Sequence, residues 1–226
     1  MGRTRLLALF AALAAVVAVP GTALADGGPD PLYYVPISTG DLPAPDAGQW
    51  QYSSPGPVRT PTADQPGPSP YCWDRARPWT SEKWISTLFT VPVPGNYYSV
   101  TSLAWELPSA DAARAAAARW NADLASCAER YSPARPVGKF GDEYIVDFKK
   151  ASTVDGADVY SFNWGHTMYS PPPGAAYDQI VLLARGKYVS FVRSHYFCTG
   201  KCAPRAPIAF DKVVAGMNRG LIRAGG

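Results

Sequence analysis

The chain has 226 residues, 21 of them basic and 18 acidic, with a formal charge of +3 and 47% hydrophobic residues. That is enough for one or two domains with a real core. The near balance of charge offers no basic stripe for nucleic acid and no pull toward an anionic membrane.

The first residues carry Arg3 and Arg5, then an unbroken apolar run from Leu6 to Val19, then the small residues of Ala23-Leu24-Ala25. This pattern predicts a secretory signal peptide over residues 1–25, cleaved after Ala25. The run is short for a membrane span and is interrupted by Pro20 and Gly21. No cysteine lies near the cleavage point, so a lipid anchor is not expected, and no later stretch is long enough to span a bilayer after cleavage. The expected location is secreted, extracellular.

Residues 26–71 form a Pro/Gly-rich N-terminal arm. Its composition resists helices and central strands, and Trp50 and Tyr52 are the points where it would lie over the domain. Plain disorder is the competing expectation. The piece "YYVPISTGDLP" within it suits a turn of helix or a docked strand. Residues 72–226 read as a single α+β domain.

From Trp79 the pattern becomes regular. "KWISTLFTV" and "YYSVTSLAWEL", separated by the turn cluster "PVPGN", predict a hairpin. An alanine-rich helix follows, with Ser109 as N-cap and Asp111 in the first turn. Ala113, Ala116, Trp120, Leu124, Cys127 and Tyr131 recur at spacings of three and four and predict its buried stripe. Pro133 and Pro136 end it. "EYIVDFKK" and "DVYSFNWGH" are joined by an Asp-Gly turn and predict a second hairpin. In the first, Tyr144, Val146 and Phe148 share a face; in the second, Tyr160, Phe162 and Trp164 do. "DQIVLLARGKYVSFVRSHYF" predicts a third hairpin, turning near Arg185-Gly186-Lys187. A closing helix follows, with Pro207 at its first position, an apolar face of Phe210, Val213, Val214, Met217 and Leu221, and Gly216 weakening it. Short turns make neighbouring strands antiparallel. The expected fold class is α+β: an antiparallel sheet flanked by a long central helix and a C-terminal helix, the helices on one face.

All four cysteines, Cys72, Cys127, Cys198 and Cys202, lie in the exported part. Outside the cytosol an even count suggests two disulfides, with three possible connectivities. Cys198 and Cys202 would close a small loop, and a bridge from Cys72 to Cys127 would fasten the arm to the helix. Zinc or redox chemistry at Cys198 and Cys202 is the alternative, but the chain has only two histidines and no C-x-x-C.

These features resemble a known family, the secreted or membrane-tethered sensor domain-containing proteins of actinobacteria, typified by the PknH-like extracellular domain of a Ser/Thr kinase. The residues that carry the resemblance are Cys72 after a Pro/Gly stretch, "AWELPSADAARAA" running into a helix that holds Cys127, then "GDEYIV", "DQIVLLARGKYVSFV" and a C-terminal helix. The resemblance implies an antiparallel sheet with flanking helices, two disulfides and a cleft for a ligand. No kinase domain or later transmembrane segment accompanies it here, so a signal would pass through a separate partner.

Catalytic motifs are sparse. There is no G-x-S-x-G elbow. His166 and His195 could each serve a triad with Asp147 or Asp178 as orienter, but no spacing selects a set. The ligand-binding candidates are Tyr160, Trp164, His166 and His195. Tyr160 belongs to an aromatic strand face that is either core or a stacking surface for a sugar or aromatic ligand. His166 and His195 are expected near the ends of adjacent strands, facing each other as a pH-responsive or metal-binding pair. The reading is a non-enzymatic, sensor-like or ligand-binding domain with no cofactor and no metal, its partner a small-molecule or cell-wall ligand. A small secreted hydrolase, or a surface protein acting through protein contacts, is the alternative.

Overall fold

The computed structural model describes residues 28–45, 49–53, 55–60, 81–93, 96–130, 135–136, 143–166, 176–198 and 208–226. In chain order the strands are β1 (Gln51–Tyr52), β2 (Lys83–Val93) and β3 (Asn96–Glu106). Helix α1 (Ala110–Arg130) follows, then β4 (Arg135–Pro136), β5 (Glu143–Val154), β6 (Ala157–His166), β7 (Ala176–Arg185), β8 (Tyr188–Cys198) and α2 (Phe210–Arg223). They form one antiparallel sheet in the order β1-β2-β3-β8-β7-β6-β5-β4. The chain climbs β2 and β3, crosses the sheet through α1 to the far edge, and returns strand by strand until β8 pairs with β3.

Local chemistry explains the turns. Asp155 and Gly156 both take positive φ, at 47° and 79°, which is the backbone a two-residue hairpin turn requires. Gly186 does the same at 53° between β7 and β8. At the start of α1 the Ser109 hydroxyl accepts from the Ala112 amide at 3.1 Å, so the expected N-cap forms. Two register shifts in β5, between Val146 and Lys149 and between Lys150 and Ser152, place bulges around Phe148. A strict alternation along "EYIVDFKK" therefore breaks at Phe148, which enters the core.

The helices do not share a face. Trp120, Leu124 and Cys127 of α1 pack on Phe148, Tyr160, Phe162, Ile180, Leu182 and Phe191. Phe210, Val213, Val214 and Met217 of α2 pack on Phe89, Val100, Val159, Val181 and Val192, the opposite set in each strand's alternation. The sheet is thus the middle of three layers, which corrects the expectation of one covered face. The physical sign was there: in "DVYSF" and "KYVSFV" both alternating sets contain apolar residues, as sheets covered on both sides require.

The N-terminal segment completes the α2 layer. Two 3-10 turns, Pro31–Tyr34 and Thr39–Asp41, seat Leu32, Val35, Ile37 and Leu42 in the core beside α2. Gly216 and Gly220 make this approach possible. A Cβ at Gly220 would stand 2.6 Å from the carbonyl oxygens of Tyr34 and Val35, and one at Gly216 would stand 2.5 Å from Asp41 Cγ. Gly216 therefore fits a close contact as well as costing helix propensity. Farther along the arm, Trp50 lies over Tyr98 at a centroid distance of 5.0 Å and donates to the Pro43 carbonyl at 2.8 Å. Residues 51–53 and 55–59 then run along the outer edge of β2. Ser53 Oγ donates to the Leu88 carbonyl and accepts its amide, and Arg59 exchanges two backbone bonds with Trp84. The ragged cover protects an edge that would otherwise invite pairing.

Cys127 is buried and disulfide-bonded. Cys72 and Cys202 lie outside the described residues, as do residues 1–25, where a signal peptide is expected, Pro207 and Tyr131, and the side chain of Cys198 is likewise outside the description. No described helix is long and apolar enough to cross a membrane.

Candidate functional site

The turn at Gly186 fixes which residues of β7 and β8 face each other. Counting outward from Arg185 opposite Tyr188, Ile180 falls opposite Arg193 and Asp178 opposite His195. Asp178 shares its side of the sheet with Ile180 and Leu182, under the α1 layer. The same side of β8 carries Phe191, Arg193 and His195. Where the apolar pattern gives way to polar residues, three charged or titratable side chains meet.

Asp178 is completely buried. Its Oδ1 accepts from Arg193 Nε at 2.5 Å, and His195 Nδ1 lies 3.1 Å from Oδ1 and 3.2 Å from Oδ2. Arg193 Nη2 stands 3.3 Å from His195 Nδ1. The cluster continues across β3, where Ser99 is the register partner of His195 and Thr101 that of Arg193, and across β6, where Phe162 faces Asp178. About a fifth of each of the Arg193 and His195 side chains stays exposed, at 22% and 20%.

Burial pushes the Asp178 carboxyl up, against the downward pull of the His195 hydrogen bond and charge. Burial also lowers Arg193 to about 10, which leaves the guanidinium cationic at neutral pH. A cation donating to Oδ1 at 2.5 Å calls for an ionised carboxylate as its acceptor. A carboxylate in turn wants an N–H from the imidazole, so Nδ1 carries the proton and Nε2 the lone pair in the neutral ring. The result is an oriented imidazole beside a partly buried guanidinium. Such a pair can bind an acceptor or donor of a ligand. It is also the orienter–base half of a hydrolytic triad.

The other sequence candidates fall elsewhere. Tyr160 is buried under α1, its ring 5.9 Å from Phe148. The backbones of Trp164 and His166 lie at the end of β6, opposite Ile145 and Glu143 of β5, and their side chains are outside the described residues. His166 and His195 are not on adjacent strands: β7 lies between β6 and β8, and the neighbour of His195 there is Asp178. Arg193 was not among the sequence candidates. A hairpin register counted from the Gly186 turn would have found it, together with the pairing of Asp178 and His195.

A second charged cluster lies at the far end of β8, roughly 23 Å away at strand rise. Buried Glu106 pairs with Lys187, and Lys83 bridges it to Asp30 at 3.7 and 2.6 Å. It ties the N-terminal segment to two hairpins and reads as structural.

No protein-family model matches the chain, and no curated protein matches it in sequence. Among solved structures, the chain is similar to the extracellular domain of PknH from Mycobacterium tuberculosis. The TM-score is 0.50 with 12% identity over 78% of this chain and 84% of that one. At that identity the likeness is one of fold.

Proposed function

We propose that this chain is a secreted, non-enzymatic binding domain of the sensor type that reads a small-molecule or cell-wall ligand and passes the signal to a separate partner. The observation that carries the reading is the cluster of Asp178, Arg193 and His195: a fully buried carboxylate spends its hydrogen-bonding capacity on holding two side chains that are each partly exposed. Convergent polar groups at the edge of an aromatic core are what a ligand site needs. The PknH extracellular domain supports it as an extracellular protein of similar fold. Secretion rests on the N-terminal leader pattern, and two disulfides, Cys72–Cys127 and Cys198–Cys202, follow from export and spacing.

The test is a thermal-shift screen of cell-wall fragments, sugars and small organic acids against the wild type and Arg193→Gln. A ligand that raises the wild-type midpoint and leaves the variant unmoved supports the reading. A ligand that raises both equally would place binding elsewhere. The Asp178–His195 geometry also favours a second reading, a hydrolase. A fluorophosphonate probe that labels the intact protein at a serine would establish it and displace the first.

A further inference from the structure

Residues 30–42 lie in a groove floored by β2 and β3 and walled by α2. Their backbone–backbone hydrogen bonds are all internal: Tyr33 to Asp30, Val35 to Leu32, Asp41 to Ser38 and Leu42 to Thr39. Toward the sheet the backbone gives one bond among the described residues, from the Ile37 amide to Ser102 Oγ at 3.2 Å. Side chains do the rest. Leu32 and Val35 enter the cluster around Leu221, and Ile37 and Leu42 the one around Met217. Ion pairs of Asp30 with Lys83 and of Asp41 with Arg219 close the two ends. A segment held this way can lift off as a unit while the strand ladder stays intact.

The floor of the groove opposes closure. Thr87, the register partner of Ser102, is buried with its Oγ1 unpaired among the described residues. A covered hydroxyl without a partner is unfavourable, and water satisfies it once the cover leaves. Pro29, Pro31, Pro36 and Pro43 restrict the free segment, so that it returns at low entropic cost.

We infer that this groove is a peptide-docking surface, held in cis by residues 30–42 and filled, when that strap lifts, by an apolar segment of a partner protein with acidic residues near both ends. Lys83 and Arg219 set the acidic ends, the pockets of Leu32, Val35, Ile37 and Leu42 set the apolar centre, and Gly216 and Gly220 admit backbone close to α2. The inference is independent of the ligand reading, which concerns the opposite face of the sheet.

Hydrogen exchange on the full chain is the first test. The amides of Val35, Ile37 and Leu42 should exchange together, at least about 100-fold faster than those of Val100 and Val192. The second test adds a synthetic peptide of residues 28–43. Leu32→Asp loosens the strap and leaves the groove unchanged, so this variant should bind the peptide at least about tenfold more tightly than the wild type does. A peptide carrying Asp30→Asn and Asp41→Asn should bind the variant about threefold more weakly, because both ion pairs are partly exposed. Protection of Val100 and Val192 verifies that the variant is folded. Wild-type strap amides that exchange no faster than Val192 would overturn the inference without any variant. So would a folded Leu32→Asp chain that takes the peptide no better than the wild type, or one that binds both peptides equally.

Discussion

The two faces of the sheet are built on different principles. On the α1 face, large rings do the packing: Trp120 meets Phe191 edge to face at 5.4 Å, and Phe148 stacks on Phe162 at 5.2 Å. That layer stops at buried Asp178 and its partly exposed partners Arg193 and His195. On the α2 face the side chains are smaller, and closure depends on a separate piece of chain, residues 28–43, laid against two glycines and tied by ion pairs at Asp30 and Asp41. One face ends in a group that needs its polar partners; the other is sealed by backbone-to-backbone contact. The proposed ligand chemistry belongs to the first, and resistance to unfolding of the N-terminal segment belongs to the second.

Substitutions can separate the two. Trp120→Ala should be the most damaging, at about 3–5 kcal/mol, because it empties the centre of the aromatic layer. Urea unfolding measures it, and a loss below about 1 kcal/mol would mean α1 does not anchor that face. Gly220→Ala should cost about 1–3 kcal/mol, since its Cβ meets the backbone oxygens of Tyr34 and Val35, which cannot rotate away. Ala is the better helix former, so a stabilised variant would show that the segment yields to the methyl. Cys72→Ser should lower the thermal midpoint more than Cys202→Ser, because the longer loop is worth about 4 kcal/mol against about 2 for the short one. Equal midpoints would contradict the proposed pairing.

Acid should loosen the α2 face selectively. For Asp41, burial acts to raise the pKa, but hydrogen bonds from Ser38 and the contact with Arg219 outweigh it, and the net shift is downward. Asp30 shifts the same way: burial opposes, and Lys83 and the Leu32 amide prevail. A carboxylate with a depressed folded pKa contributes stability that is full above its unfolded value near 3.8 and is lost as pH falls through the folded one. Amide exchange in residues 32–42 should therefore quicken below about pH 4, by a modest factor because Arg219 and Lys83 are substantially exposed. Unchanged protection down to pH 2 would show that the apolar anchors suffice without the ion pairs.

The sequence carried the elements better than their arrangement. Turn chemistry at Asp155-Gly156 and Gly186, the Ser109 cap and the stripe of Ala113, Trp120 and Leu124 are local, and local signals are legible one residue at a time. The placement of α2 opposite α1 is not local; it depends on both sides of each strand being apolar. The cluster of Asp178, Arg193 and His195 was half legible. His195 stood out as one of two histidines, and Asp178 was one of two orienters considered. Arg193 did not stand out, because an arginine in a strand looks like a solvated residue until register brings a buried carboxylate beside it. Strand order, which no single hairpin contains, was what separated His166 from His195.

The most direct test of the division between the faces is a nuclear magnetic resonance titration with any ligand that raises the melting midpoint, following the His195 ring and the Gly216 amide together. The account predicts that the His195 ring moves while Gly216 stays in place. Movement of Gly216 with a silent His195 ring would put the binding surface on the α2 face and contradict it.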